Sequence, residues 1–362
     1  MKILLIITLC LSLGRADDVP RTLRLLIKEG RFIEAASASD RLISLDPKNV
    51  EALATKSQAL SAFLDFDEAL VLSQRALQQN QKSAEARLAK GIALMGLAIQ
   101  NITLRSIVRV SQALDEMLES TKLDPGYGYA WFTLGLSQGK LPLLFGGSRA
   151  SSIKCAENLK KIDRSWGLVL EGTLVGTFES WKQSESFFLE SIKLGGSRSL
   201  AITAYLEVLM GDKTKDQLGL EDQKKYVHEV AKNLLNIKEI DVHALESLGD
   251  AFLFSGHPEE AWELMQLSIP KYKESSLLKL QSAKIASRSG LYLNEALVLI
   301  EEALLGPIEG GSGGREGGLV RQGQILKHLG KLIEAKKSFE EALVINPRHR
   351  GAQEGLANIT KD

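Results

Sequence analysis

The chain has 362 residues, 44% of them hydrophobic, which is enough for one long array or for two ordinary domains. Lysine and arginine together number 45, as do aspartate and glutamate, so the formal net charge is zero. A nucleic-acid-binding protein usually carries a basic excess or a basic stripe, and since the sequence shows neither, we do not expect nucleic acid as a partner.

Residues 1–16 have the pattern of a cleaved secretory signal. Lys2 is followed by an apolar run, Ile3–Leu13, that is too short to span a bilayer as an anchor. Gly14 and Ala16 then place small residues at the two positions that a signal peptidase recognises. We therefore expect a secreted or periplasmic protein that has no transmembrane anchor after signal cleavage.

The two cysteines, Cys10 and Cys155, indicate no special chemistry. Cys10 would suit a lipoprotein signal, but Leu9 stands where a small residue is required, so we disfavour the lipoprotein interpretation. Cys155 is then the only cysteine of the mature chain, which excludes an intramolecular disulfide. We expect Cys155 to be a small buried residue on a helix.

Beyond the signal, the sequence predicts pairs of amphipathic helices. Apolar residues recur at three- and four-residue steps, the period of a helix with one buried stripe. Small residues recur as well: Ala35 and Ala69 lie 34 residues apart. Ala335 precedes Pro347 by the same twelve residues that separate Ala35 from Pro47. Because no pair can bury its apolar face alone, neighbouring pairs must stack.

About nine such pairs follow one another, and a polar capping helix comes last. The pairs span residues 19–47, 50–81, 84–125, 128–163, 165–194, 197–240, 242–269, 274–305 and 316–347, and the cap spans 348–360. The pair at 316–347 has the cleanest pattern, which we attribute to packing alone.

Four connections are longer than a simple turn, and the last of them divides the chain. They are Gln100–Arg105, Gly139–Ser148, Gly211–Gly219 and Gly306–Gly318. The glycine content of residues 306–318 predicts a flexible loop or hinge. The predicted organisation is therefore a repeat array at 17–305, a glycine-rich loop at 306–318, and the last pair with its cap at 319–362.

The spacing of Trp131, Leu134 and Gly135, together with the stretch 316–347, resembles the tetratricopeptide repeat. The resemblance implies an all-α fold, a right-handed superhelical solenoid of helix pairs. The loop Gly139–Ser148 is similar to a variant found in secreted bacterial tetratricopeptide proteins. Among these is the T component of TRAP-type transporters, which partners a solute-binding protein.

No constellation of catalytic or metal-binding residues stands out, so we expect neither an enzyme nor a cofactor. No two of the five histidines share an i, i+4 spacing, and His228-Glu229 lacks the second histidine of a zinc protease helix. Gly139-Lys140 suggests a phosphate loop, but Leu141 replaces the Ser or Thr that would hold magnesium. Residues 310–314 match the nucleophile elbow formally, but no strand precedes them.

The resemblance implies a binding surface on the first helix of each pair, at its second, fifth, ninth and twelfth positions. In the third to fifth pairs these positions are mostly apolar or aromatic, whereas the second and seventh pairs are polar there. The Lys and Asn of the family's carboxylate clamp are absent. The predicted partner-binding residues are Leu88, Ile92, Met95, Tyr129, Phe132, Leu136, Trp166 and Val169.

These features favour a non-catalytic scaffold of the periplasm or cell envelope that holds a protein or peptide in an apolar groove. Two alternatives stay open. In the first, the loops at 100–105 and 139–148 fold inward, so that Phe132 and Leu136 are ordinary core. In the second, the protein is a transport accessory that binds a small apolar ligand in a closed pocket or pore. The sequence leaves the partner's identity and the oligomeric state undefined.

Overall fold

The computed structural model describes residues 18–100, 103–273, 275–308 and 314–359. Within these ranges the chain forms twenty α-helices and one short 3-10 helix, and it has no strand, which confirms the predicted all-α class. The predicted signal at 1–16 lies outside the described residues. Among the described helices, none combines the length and the apolar character that a bilayer crossing requires.

The chain divides into two compact units, Met1–Cys155 and Ala156–Asp362. The division falls within a helix of the fourth predicted pair, and not at the glycine-rich segment 306–318 where the sequence suggested a hinge.

The first unit is a stack of helix pairs that follow the predicted order. Its helices are α1 (Asp18–Lys28), α2 (Phe32–Leu45), α3 (Val50–Ala62), α4 (Phe66–Gln79), α5 (Ala84–Gln100), α6 (Leu104–Leu123) and α7 (Gly128–Lys140), and α8 (Arg149–Ile162) contains the division.

Small residues allow the helices of the first unit to pack closely. Ala35, Ala59 and Ala69 are completely buried. Gly91 lies where α5 meets α6, and a Cβ there would stand 2.8 Å from the Met117 side chain and 2.9 Å from the Ala113 carbonyl oxygen. The small positions of the predicted repeat are therefore the contact points of the helices.

The loop Gly139–Ser148 begins at the last two residues of α7. The short 3-10 helix Leu143–Phe145 follows α7, and its two leucines are 84% and 90% exposed. Gly146 has φ +83°, and a Cβ on Gly147 would lie 1.8 Å from the Leu141 carbonyl oxygen, so this turn requires both glycines. Leu143 and Leu144 are exposed, so these two side chains do not cover Phe132 or Leu136. Residues 101–102 of the other loop, which the inward-folding alternative also invoked, lie outside the described residues.

The second unit continues the series of pairs. Its helices are α9 (Arg164–Phe178), α10 (Trp181–Leu194), α11 (Arg198–Met210), α12 (Asp212–Leu218), α13 (Leu220–Leu234), α14 (Val242–Phe254), α15 (Pro258–Ser268), α16 (Ser276–Ser289), α17 (Leu293–Leu304), α18 (Gly314–His328), α19 (Leu332–Ile345) and α20 (Arg350–Ile359).

Two connections of the second unit contain more helix than the sequence predicts. Residues 211–219 form the short α12, because the buried Thr214 donates a hydrogen bond of 2.8 Å to the Val208 carbonyl oxygen and holds α12 against α11. Helix α18 begins at Gly314, inside the predicted loop 306–318, of which residues 309–313 lie outside the described residues. A Cβ on Gly318 would meet Leu280 at 3.1 Å and Leu304 at 3.2 Å, so α18 packs directly on α16 and α17. The last pair is therefore continuous with the pairs before it.

Candidate partner-binding surfaces

Four predicted partner-binding residues of the first unit, Ile92 of α5 and Tyr129, Phe132 and Leu136 of α7, make up the predicted apolar surface. All four side chains are half-buried, so each keeps some contact with solvent. Leu88, which was also predicted to contact a partner, is completely buried, and Met95 is nearly so. Leu88 and Met95 therefore support the helices, whereas the four half-buried residues remain accessible.

A charged network lies beside Tyr127, whose ring neighbours that of Tyr129. The Arg24 guanidinium of α1 forms ion pairs with Glu85 of α5 and, at 3.0 Å, with Asp124 just before α7. It also lies 4.7 Å above the centre of the Tyr127 ring. Burial opposes the charge of Arg24, but the two carboxylates outweigh burial and raise the pKa of the guanidinium above its ordinary value. The network joins α1 to α5 and to Asp124, which follows α6.

Tyr129 belongs partly to the core. Its ring packs against the buried cluster of Leu26, Ile27, Ala35 and Ala59. The Tyr127 ring lies 6.4 Å away between centroids. Burial raises the pKa of Tyr129 to about 12, so its hydroxyl is neutral at physiological pH. Tyr129 therefore contributes to the core and keeps only part of its side chain accessible.

The two predicted contact residues of the second unit, Trp166 and Val169 of α9, are buried. The Val169 carbonyl oxygen accepts a hydrogen bond of 2.8 Å from the Thr173 hydroxyl within the same helix. In this structure, these two side chains contribute to the core of the second unit and present little surface.

The second unit carries a polar cluster that sequence reasoning missed. Asp250 of α14 accepts a hydrogen bond of 2.7 Å from Gln281 Nε2 and pairs with Lys284 Nζ at 2.6 Å, both on α16. These two partners occupy the Asp250 carboxylate. Among the described residues, no hydrogen-bond partner lies within reach of Arg321 Nη1 on α18 or of Gln281 Oε1.

Arg321 is thus a cation held among the helices with incomplete hydrogen bonding. Burial lowers the pKa of its guanidinium below the ordinary value, and the nearby Arg288 acts in the same direction. The acidic groups Glu246 and Asp250 oppose this effect only in part. The sequence offered one indication of this site, because Arg321 is a basic residue on the first helix of the pair at 316–347. We had attributed the pattern of that pair to packing alone.

Two of the five histidines, which share no i, i+4 spacing, lie together in the second unit. The rings of His228 on α13 and His257, directly before α15, stack with centroids 3.6 Å apart and planes 2° apart. His228 Nε2 lies 3.0 Å from Glu260 Oε1 on α15. The two histidines lie 29 positions apart in the sequence, so a search for local spacings could not find this arrangement.

Comparison with protein families identifies tetratricopeptide repeats in two segments. Tetratricopeptide repeat models match residues 26–91, which extend from α1 into α5, and residues 318–349, which cover most of α18 and all of α19. Repeats of this kind generally mediate protein–protein interactions, are generally non-catalytic, and here no catalytic family is indicated. A search of the curated proteins found no relative of this chain.

Solved structures show distant likenesses. Yeast Tom70 is 13% identical, with a TM-score of 0.47, and the alignment covers 96% of this chain and 82% of that one. A monomeric mutant of IFIT1 with Gppp-AAAA is 14% identical, with a TM-score of 0.49 and coverages of 96% and 73%. TTC0263, a thermophilic tetratricopeptide protein of Thermus thermophilus, is 15% identical, with a TM-score of 0.46 and coverages of 54% and 99%.

Proposed function

We propose that this protein is a non-catalytic scaffold that binds a protein or peptide partner on the apolar surface of its first unit. The observation that carries the proposal is that Ile92 and Leu136 lie on the first helices of neighbouring repeats and are only half-buried. Repeat proteins use such faces for binding because stacked repeats form extended surfaces.

The composition of the apolar surface favours a partner segment with apolar side chains. Its centre is aliphatic and aromatic, which suits apolar side chains of a docked helix or extended segment. Near Tyr127 lies the Arg24, Glu85 and Asp124 network, in which one guanidinium faces two carboxylates, so one net negative charge remains. We therefore expect apolar anchor residues to supply most of the partner's binding energy, with polar groups at the rim.

Site-specific crosslinking in the natural host tests this proposal. A photoreactive amino acid replaces Leu136 on the apolar surface, and in a matched control it replaces Val108 on α6, which is 59% exposed. We expect one protein to crosslink through position 136 and not through position 108. Equal crosslinking at both positions would contradict the proposed surface.

Binding measurements with the partner so identified complete the test. Ile92→Asp and Leu136→Asp should each weaken binding by roughly tenfold or more, because a buried charge at the centre of an interface costs about 1–3 kcal/mol or more. Val108→Asp should leave the affinity unchanged, and all three variants should keep their thermal stability. If instead no protein crosslinks and native mass spectrometry shows a small apolar molecule bound to the chain, the transport-accessory alternative replaces this proposal.

We also propose that the protein acts outside the cytoplasm, in the periplasm or as a secreted protein. The support is the signal pattern of residues 1–16, with its single basic residue before a short apolar run. Sequencing the N-terminus of the protein isolated from its host tests the prediction. A mature chain that begins at Asp17 supports it, and a chain that keeps its first residues in the cytoplasmic fraction contradicts it.

A further inference from the structure

Three potential metal ligands converge between α13 and α15. One ring nitrogen each of His228 and His257 and one carboxylate oxygen of Glu260 all lie within 4.8 Å of one another. All three side chains are half-buried, so an ion from solution can reach them. The edge of the His228 ring is supported by Phe252, whose ring centre lies 5.8 Å away.

The hydrogen bonds of Ser255 define which nitrogen of His257 carries the proton. The Ser255 hydroxyl donates to the Phe252 carbonyl oxygen at 3.0 Å, so its oxygen acts as acceptor in the 3.2 Å contact with His257 Nδ1. His257 Nδ1 is then the donor, and Nε2 of the neutral ring keeps its lone pair. A metal-binding histidine usually has its second nitrogen held in this way.

We propose that His228, His257 and Glu260 form a binding site for a first-row divalent transition ion, with zinc as the reference ion. Two imidazoles and one carboxylate are a ligand set that zinc accepts, with water in the fourth position. Magnesium and calcium prefer oxygen ligands alone, so this set disfavours them.

Small side-chain rotations bring the ligands to binding distance. With bonds of about 2.0–2.1 Å, two donors on a tetrahedral zinc ion stand about 3.3 Å apart, whereas the donor atoms here lie within 4.8 Å of one another. The lone pair of an imidazole lies in its ring plane, so a shared ion requires one of the two parallel rings to turn out of the stack. This rotation is easy because the terminal torsion of histidine has a broad energy minimum.

Metal binding at this place would join two repeats of the second unit. His228 lies on the second helix of one pair, while His257 and Glu260 lie at the start of the second helix of the next pair. An ion that binds only when these helices are in contact stabilises that contact by mass action. The site is thus a metal-dependent clamp between consecutive repeats.

Calorimetric titration of the full chain with zinc chloride tests the proposal. The protein is purified with a tag that contains no histidine. We expect one zinc ion per chain, at least tenfold weaker binding for His228→Ala and for Glu260→Gln, and about tenfold weaker binding for Ser255→Ala, which removes the partner that positions His257. His328→Ala, at a histidine of α18 outside the cluster, should bind zinc like the original chain.

Two further measurements keep the test decisive. Cobalt chloride added in place of zinc should give the intense visible absorption of four-coordinate cobalt, and the Glu260→Gln variant should lack it. If His228→Ala fails to fold, Glu260→Gln carries the comparison because it preserves the size of the side chain. The proposal is overturned if the original chain shows no saturable zinc binding, or if His328→Ala weakens binding as much as Glu260→Gln.

Discussion

At the scale of single residues, the hydrogen bonds of Glu185 on α10 make stability depend on pH. Burial disfavours its charge, but donors on Lys182, Tyr205 and Tyr226 outweigh burial and lower the pKa of the carboxyl below its ordinary value of 4.5. A lowered pKa in the folded chain stabilises the protein above the ordinary value, and this stabilisation is lost as the pH falls through the folded pKa.

Glu185→Gln should therefore lower the free energy of unfolding by about 2 kcal/mol at pH 7, because the tyrosine hydroxyls then donate to a neutral acceptor. The difference between this variant and the original chain should shrink as the pH falls below 4.5. Urea unfolding at a series of pH values measures both effects. Glu221→Gln is the control, since the Glu221 side chain is 76% exposed and its ion pair with Lys224 contributes little. A difference for Glu185→Gln that stays constant down to the lowest pH would contradict the assignment.

Arg321 gives a second prediction at this scale. Its Nη1 has no partner among the described residues, and a buried cation without full hydrogen bonding costs free energy. Arg321→Met, which keeps a long flexible side chain, should raise the free energy of unfolding by about 1 kcal/mol. Urea unfolding at neutral pH checks it, with Arg315→Met at an exposed position of α18 as the control. A loss of stability in Arg321→Met would show instead that attraction by Glu246 and Asp250 outweighs burial.

At the scale of helices and turns, the glycine pair after α7 offers a direct test. Gly147→Ala would place a Cβ 1.8 Å from the Leu141 carbonyl oxygen, and this backbone atom cannot move aside easily. We expect a loss of about 1–3 kcal/mol, the usual cost of inserting atoms into a tightly packed place. Gly306→Ala is the matched control, because no atom lies within 4 Å of the added carbon. Thermal unfolding compares the two variants, and equal melting temperatures would contradict the described turn.

The helices could be predicted from the sequence because the pattern that defines each helix is local. The contacts between helices join residues that are distant in the sequence, so they could not be predicted in the same way. The spacing of Ala335, Phe339 and Ala342 defines the buried side of α19, and all three are completely buried. The repeat pattern also identified which positions of α5 and α9 face other elements. It could not show which of them neighbouring helices cover, so Leu88 and Val169 were predicted as accessible although they are buried.

Contacts between distant residues explain the remaining differences. Arg321 lies 71 residues from Asp250, and no local pattern relates such positions. Glycine is unfavourable in a helix, which is why residues 314–318 were predicted as loop. In the structure Gly318 is helical, because its lack of a side chain lets α18 approach Leu280 and Leu304. Tertiary packing here outweighs local propensity.

At the scale of the whole molecule, the question is whether the last repeat is an independent segment behind a hinge or part of the second unit. Its packing on Leu280, which is completely buried, and Leu304, which is nearly so, indicates the latter. A chain that ends at residue 305 would expose both leucines, and each costs about 1.5–3 kcal/mol when brought fully into water.

Truncation at residue 305 should therefore lower the melting temperature of the remaining second unit by roughly 6 °C or more, since the two leucines together cost about 3–6 kcal/mol and 1 kcal/mol corresponds to about 2–4 °C in a domain of this size. Calorimetry measures the shift, and binding of a hydrophobic dye should increase with it. The control keeps α18 and lengthens the connection before it, with four glycine and serine residues inserted after Ile308. Because extra loop length costs well under 1 kcal/mol, this insertion should leave the melting temperature nearly unchanged. A truncated chain that melts like the full one would show that the last repeat contributes nothing to its neighbours and would restore the hinge that the glycine-rich sequence suggested.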